Sequence, residues 1–218
     1  MAYSRAHIVR QPGAATPQAP ALSFEGSTLT FAQLDGLSSQ SANALRAEGV
    51  QAGDRVALLT KNRPEFYELL FACSKIGAIL VGLNWRLAQA EISAIAADAS
   101  PSVVIVGPDE QVLLSDALRS DPGLRRIVTL GDEYDAWRAK APAVDPCHIG
   151  LPDDVSLVLY TSGTTGLPKG VMLTGPMPQD SPSRGVYDMP WLVSITPFGR
   201  PVVPEVYKTR LTSSGSPT

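Results

Sequence analysis

The chain has 218 residues, 44% of them apolar and 18% charged, with a formal net charge of −3. That is enough apolar material for a core, and one domain, or one domain plus an appendage, is the expectation. The charge balance excludes the broad basic surface that nucleic-acid binding needs. The longest apolar run, residues 76–83, is far shorter than the roughly 18 residues of a spanning helix, so no transmembrane segment is expected. Residues 1–20 lack the apolar stretch of a secretory leader. Two cysteines, Cys73 and Cys147, make no disulfide framework, and a cytoplasmic protein fits.

In chain order, residues 1–20 read as a loose, flexible N-terminus. Residues 21–24 and 28–31 flank Glu25, Gly26 and Ser27 in a short hairpin pattern. Thr30 then reads as a helix N-cap, with Gln33 completing a capping box. Leu34, Leu37, Ser41, Leu45 and Glu48 follow at helical spacing, and Gly49 supplies a stop. Gly53 and Asp54 form a turn into a buried strand, RVALL, at residues 55–59. Pro64 suits the first turn of the next helix, whose stripe of Phe66, Leu69, Leu70 and Cys73 ends at Gly77.

Residues 78–82 predict a second strand, 88–98 a helix, 102–106 a third strand, 111–119 a helix, and 126–130 a fourth strand. A short helix over 132–140 and a Pro-rich linker over 141–154 precede a fifth strand, 155–160. Continuous apolar strands alternating with helices are the pattern of a parallel sheet buried on both faces. The fold class is therefore α/β, a layered parallel-sheet domain over residues 21–174. The tail, 175–218, breaks this rhythm. Eight of the 19 prolines fall in residues 171–218, which leaves no room there for a long helix or central strand.

The fifth strand runs into Thr161, Ser162, Gly163, Thr164, Thr165 and Gly166, then Leu167, Pro168, Lys169 and Gly170. This composition suits a phosphate. Gly163 and Gly166 let the backbone curl and bring N–H groups to an anion. The hydroxyls of Thr161, Ser162, Thr164 and Thr165 add rotatable donors, and Lys169 adds a mobile positive charge. The spacing is neither a Walker A loop nor a G-x-G-x-x-G dinucleotide fingerprint. An ordinary Ser/Thr/Gly surface loop is the plain alternative, but the string from Tyr160 to Gly170 is far more specific than a lone glycine motif.

That string resembles the phosphate-binding loop of the adenylate-forming (AMP-binding) superfamily, which includes acyl-CoA synthetases, luciferases and amino-acid adenylation domains. Val171, Met172, Leu173 and Thr174 continue the family pattern by one strand. Upstream, Leu29 to Asp35 resembles the family's early helix start, and Gly53 to Ala57 its first core strand. Asn84, Trp85, Arg86 and Leu87, followed by Glu91 and Ile92, are similar to acyl-CoA synthetases more than to amino-acid adenylation domains.

The resemblance implies ATP-dependent activation of a carboxylic acid, a fatty acid in the first instance, to acyl-AMP and then to the CoA thioester. ATP, Mg2+ and CoA are the implied cofactors. Ser162, Gly163, Thr164, Thr165, Gly166 and Lys169 would hold the β- and γ-phosphates, with Thr161 near the metal. None of them is a nucleophile, and the chain itself supplies no catalytic residue or metal ligand.

The family's adenine pocket, metal-binding Glu and ribose-binding Asp lie further downstream, and residues 175–218 match none of them. Where the family has a His after Leu-Thr, this chain has Gly175. The expectation is a partial AMP-binding domain, inactive alone, with a tail unrelated to the family (a frameshift would produce one); a divergent C-terminal cap covering the sheet is the alternative for the tail. Apolar surface left uncovered would promote self-association. Two further readings stand beside this one: a non-catalytic remnant or interaction fragment, and an amino-acid adenylation fragment. Cys147 and His148, adjacent in the linker, lack the further ligands of a zinc site. Trp85 and Arg86 are candidates for packing near the loop.

Overall fold

The structure, a computed structural model, describes residues 5–151, 154–161 and 169–174. The expected hairpin forms from β1 (Pro20–Phe24) and β2 (Ser27–Thr30), antiparallel, with Glu25 and Gly26 at positive φ in the turn. Helix α2 (Phe31–Ala47) follows at once. Its capping box is complete: the Thr30 amide donates to Gln33 Oε1 at 2.8 Å, and the Gln33 amide donates to Thr30 Oγ1 at 3.3 Å.

A six-stranded sheet forms the centre, in the order β6-β5-β3-β4-β7-β8. Its strands are β3 (Arg55–Leu59), β4 (Ile79–Leu83), β5 (Val103–Val106), β6 (Arg126–Thr129), β7 (Val155–Thr161) and β8 (Lys169–Thr174). All pairings are parallel except β7 with β8, which is antiparallel at the edge. Helices α3 (Glu65–Ile76), α4 (Gln89–Ala99), α5 (Asp116–Arg119) and α6 (Asp132–Ala139) connect them.

The period-two alternation of the strands divides the core into two layers. Val56, Leu58, Leu80, Val103 and Ile105 pack against α2, α3 and α6. Ala57, Leu59, Val81, Leu83, Val104 and Val106 pack against α4 and α5. Strands buried on both faces explain the uninterrupted apolar runs of the sequence.

Two expectations are corrected. Residues 7–15, expected as part of a loose lead-in, form α1 (His7–Ala15). Val9 is fully buried there against Leu34 and Phe71, a tertiary contact that the Gly- and Pro-containing composition conceals. Residues 111–119, expected as one helix, are split into a 3₁₀ turn (Asp109–Leu113) and the four-residue α5. Leu114 is extended between them, and Ser115 Oγ caps α5 by accepting from the Leu118 amide at 3.3 Å.

The segment 141–154, expected as a linker, lacks helix and strand among its described residues but lies bound to the domain. Asn43 Nδ2 donates to the carbonyls of Pro142 and Val144, and Arg10 forms an ion pair with Asp145. We call it the strap. The tail, 175–218, lies outside the described residues.

Candidate phosphate-loop site

Strand β7 carries the loop. Three rungs, Leu80–Leu157, Val81–Val158 and Gly82–Leu159, pair it with β4. Gly82 permits this approach, since a Cβ there would stand 3.1 Å from Leu159 Cδ2. On its other side β7 pairs with β8, and the last rung joins Thr161 to Lys169. The backbone therefore leaves and re-enters the sheet at one point, with seven residues, 162–168, between.

Of the sequence-predicted site residues, Thr161 ends β7 and Lys169, exposed to solvent, begins β8. Ser162, Gly163, Thr164, Thr165 and Gly166 lie outside the described residues. Parallel strands fix where the loop emerges: at the carboxyl edge of the sheet, alongside the ends of β3, β4 and β5. In open α/β sheets this edge is where ligands bind.

Sequence reasoning passed over a second group at that edge. Lys61, two residues beyond β3, donates to Asp109 Oδ2 at 3.0 Å, and its Nζ lies 3.9 Å from Glu110 Oε1. The hydrogen bond to Asp109 pushes the Lys61 ammonium above its ordinary value. Trp85 receives two cations: Lys61 Nζ is 5.7 Å and Arg86 Cζ 4.3 Å from its ring centroid. Asn84 Oδ1 accepts from the Arg86 amide at 3.0 Å and shapes the turn. Trp85 and Arg86 were expected near the loop; besides these cation contacts, Trp85 packs against the sheet layer that holds Leu59, Val81 and Leu83. The signal that could have found Lys61 is its position just past a parallel strand.

Tyr160, the first residue of the motif string, makes a contact that the sequence does not signal. Its hydroxyl donates to Asp98 Oδ2 near the end of α4. Burial first, then Asp98, push that hydroxyl up to about 12. Cys73 is buried in α3, and burial pushes its thiol up to about 12. Cys147 Sγ rests 3.3 Å from the Asp145 carbonyl, and the His148 ring lies against Gly77.

Residues 9–176 match the family model described as AMP-binding enzyme. The chain belongs to the AMP-binding enzyme family. This family member is 42% identical over 158 residues to the fatty acid–[acyl-carrier-protein] ligase ScoC of Streptomyces coeruleorubidus, which covers 72% of this chain and 30% of that one. It is 44% identical over 159 residues to a feruloyl-CoA synthase of an Amycolatopsis species, covering 73% and 31%. The inhibitor-bound N-terminal domain of FACL13 from Mycobacterium tuberculosis superposes with a TM-score of 0.72 at 34% identity, covering 80% of this chain and 44% of that one.

The chain thus spans about a third of the length of the curated relatives it matches. Its α/β fold, with a mostly parallel central sheet, is that of the N-terminal domain of the family's enzymes. The family match begins inside α1, twelve residues before the expected boundary at residue 21, consistent with the docking of that helix on α2 and α3. Among the described residues, no helix is long and apolar enough to cross a membrane.

Proposed function

We propose that this chain supplies the polyphosphate-gripping part of an ATP-dependent ligase for a carboxylic acid, a fatty or related acid. The product would be an acyl-AMP and then a CoA thioester. What supports the reading is the hairpin end itself: a loop of glycines and hydroxyls, opened by Thr161 and closed by Lys169 on one rung, at the carboxyl edge of a parallel sheet. The named substrates of the relatives, a fatty acid and a feruloyl group, favour a carboxylic acid over an amino acid.

In this reaction a carboxylate oxygen bonds the α-phosphorus of MgATP, the α–β phosphoanhydride bond breaks, and pyrophosphate leaves. The CoA sulfur then bonds the acyl carbon, AMP departs, and the thiol proton passes to solvent. Magnesium enters with the nucleotide as part of the substrate. Among the described residues, no group of three His, Cys, Asp or Glu side chains is arranged to hold a metal.

The carboxylate and the polyphosphate repel one another. The backbone N–H groups of Ser162 to Gly166, the Ser and Thr hydroxyls and the Lys169 ammonium would offset that repulsion and stabilise the leaving pyrophosphate. These residues bind and neutralise. Two free thiols suit a reducing compartment, and a cytoplasmic location belongs to the same reading.

Calorimetric titration of the full chain with MgATP and with inorganic tripolyphosphate tests it. Both bind wild type, and Lys169→Ala weakens each at least tenfold, about 1.4 kcal/mol. Equal affinity of wild type and Lys169→Ala, or no binding by either, rejects the assignment.

A second reading, self-association, has its own observation. Leu159, Val171 and Met172 are 38%, 46% and 66% exposed at the β7–β8 edge of the sheet. Among the described residues no strand lies beyond β8, and an apolar edge of this kind invites pairing with another chain.

A further inference from the structure

At the base of the loop the β7–β8 ribbon loses its ladder to β4. Pairing of β7 with β4 stops at Leu159, the partner of Gly82. Tyr160 and Thr161 continue beyond it, paired only with Gly170 and Lys169 of β8. The two rungs at the base of the loop therefore lack the β4 ladder that backs the rest of β7, although the Tyr160 ring packs against the sheet layer that holds Leu59, Val81 and Leu83.

We propose that Tyr160 is a positioning residue for the phosphate loop: a strut that ties the end of the β7–β8 ribbon to α4 and so fixes where Thr161 and Lys169 stand. The inference rests on the reading of 161–169 as a phosphate grip.

Two contacts make the strut. Within the ribbon, the Tyr160 ring lies across Gly170, the residue after Lys169. A Cβ on Gly170 would stand 3.3 Å from Tyr160 Cζ, 3.4 Å from Cε1 and 3.2 Å from Val158 Cγ1. The ring thus covers a bare stretch of edge backbone, a cross-strand aromatic–glycine pairing that stabilises an exposed strand end. Outside the ribbon, the Tyr160 hydroxyl donates to Asp98, 62 residues away in the chain.

Asp98 sits on a firm base. It belongs to the last turns of α4, whose Ile92, Ile95, Ala96 and Ala99 are buried against the sheet. The charged acceptor makes this a stronger hydrogen bond than a neutral pair would give. With its hydroxyl pushed up to about 12, Tyr160 stays a donor throughout the range in which ATP chemistry runs.

The consequence is preorganisation. A ribbon held by the strut presents the two ends of the loop in one orientation. A ribbon without it must be ordered by the ligand, and that cost appears as lost affinity. Because the strut touches no phosphate, its loss acts on binding through the backbone.

The test compares wild type, Tyr160→Phe, Asp98→Ala, Asp98→Asn and Tyr160→Phe/Asp98→Ala in the full chain. Two readouts are taken: tripolyphosphate affinity by calorimetry and amide hydrogen exchange by residue. Tyr160→Phe and Asp98→Ala each weaken tripolyphosphate binding about five- to tenfold. The double variant is no worse than either single one, and Asp98→Asn, which still accepts the hydrogen bond, recovers most of the affinity. Exchange accelerates at residues 160–161 and 169–170 in the weakened variants and is unchanged in β3 and β5.

Unaltered exchange at the loop base overturns the strut even where wild type binds tripolyphosphate normally. Accelerated exchange with unaltered affinity overturns its positioning role. Wild type that binds no tripolyphosphate overturns the phosphate reading, and with it the role of Tyr160 toward a ligand. Exchange then still reports whether the hydroxyl holds the ribbon.

Discussion

Arg10 and Asp145 form a two-pronged ion pair between α1 and the strap, 135 residues apart in the chain. Nε and Nη2 each donate at 2.6 Å to a different carboxylate oxygen. Arg10 Nη1 adds a bond to the His148 carbonyl at 3.1 Å, and the fully buried Lys75 places Nζ 3.6 Å from Asp145 Oδ2. Lys75 is itself held by Asp35 Oδ1 and by Ser39 Oγ at 2.7 Å. One carboxylate thus joins α1, α3 and the strap that leads into β7.

This clasp has a pH signature. Burial alone would raise the Asp145 carboxyl, but the Arg10 hydrogen bond, the Cys147 amide and the charge of Lys75 together hold it below its ordinary value. A lowered folded-state value contributes stability that is fully present above the unfolded value, about 3.9, and is lost as pH falls through the folded one. Asp145→Asn is expected to cost about 1 kcal/mol at pH 7, discounted for partial exposure. The gap to wild type should close below about pH 4. Urea melts at stepped pH check this; a gap that persists at pH 2 refutes the assignment.

Glu68 is the buried centre of a second network. Its Oε1 accepts from Ser41 Oγ and from Tyr134 Oη at 2.6 Å, while Oε2 accepts from Arg138 Nη1 at 2.7 Å. Burial, with Glu68 beside it, drives the Tyr134 hydroxyl well above its ordinary value. Glu68→Ala strands Arg138 and Tyr134 without their acceptor and should cost about 3–5 kcal/mol. Chemical denaturation measures it, and a loss below about 1 kcal/mol would show the network to be dispensable.

Gly77 ends α3 at φ 73° with a close neighbour. A Cβ there would stand 2.6 Å from His148 Nε2 and 3.0 Å from Ala52 Cβ. Gly77→Ala should lose about 1–2 kcal/mol from the left-handed backbone alone, and more from the collision with His148. Adding His148→Ala should recover the collision part only. Equal stability of the single and double variants would remove the collision from the account.

The open edge can be tested without touching the loop. Val171 and Met172 are exposed on adjacent positions of β8. If the edge drives self-association, wild type sediments with a mass that grows with concentration, and Met172→Lys shifts it toward the monomer. Wild type that stays monomeric at every concentration ends that reading.

Much of the fold was written in local signals. The Thr30/Gln33 box, the stops at Gly49 and Gly77 and the apolar strands all act within a few residues, so spacing exposes them. Helix α1 was hidden because its stability comes from Val9 meeting Leu34 and Phe71, a contact without a periodic signature. The 111–119 break was hidden because Ser115 caps a new helix inside what reads as one stretch.

At the site, the strand–helix alternation implied the sheet edge at which Thr161 and Lys169 stand. Its supports, Tyr160 to Asp98 and Arg10 to Asp145, span 62 and 135 residues. No short pattern encodes a contact of that reach.

A last consequence follows from the shared rung of Thr161 and Lys169. Because the excursion starts and finishes on facing residues, its length and composition are decoupled from the register of both strands. A stretch transplanted from another family member between these two anchors should leave the underlying β architecture intact.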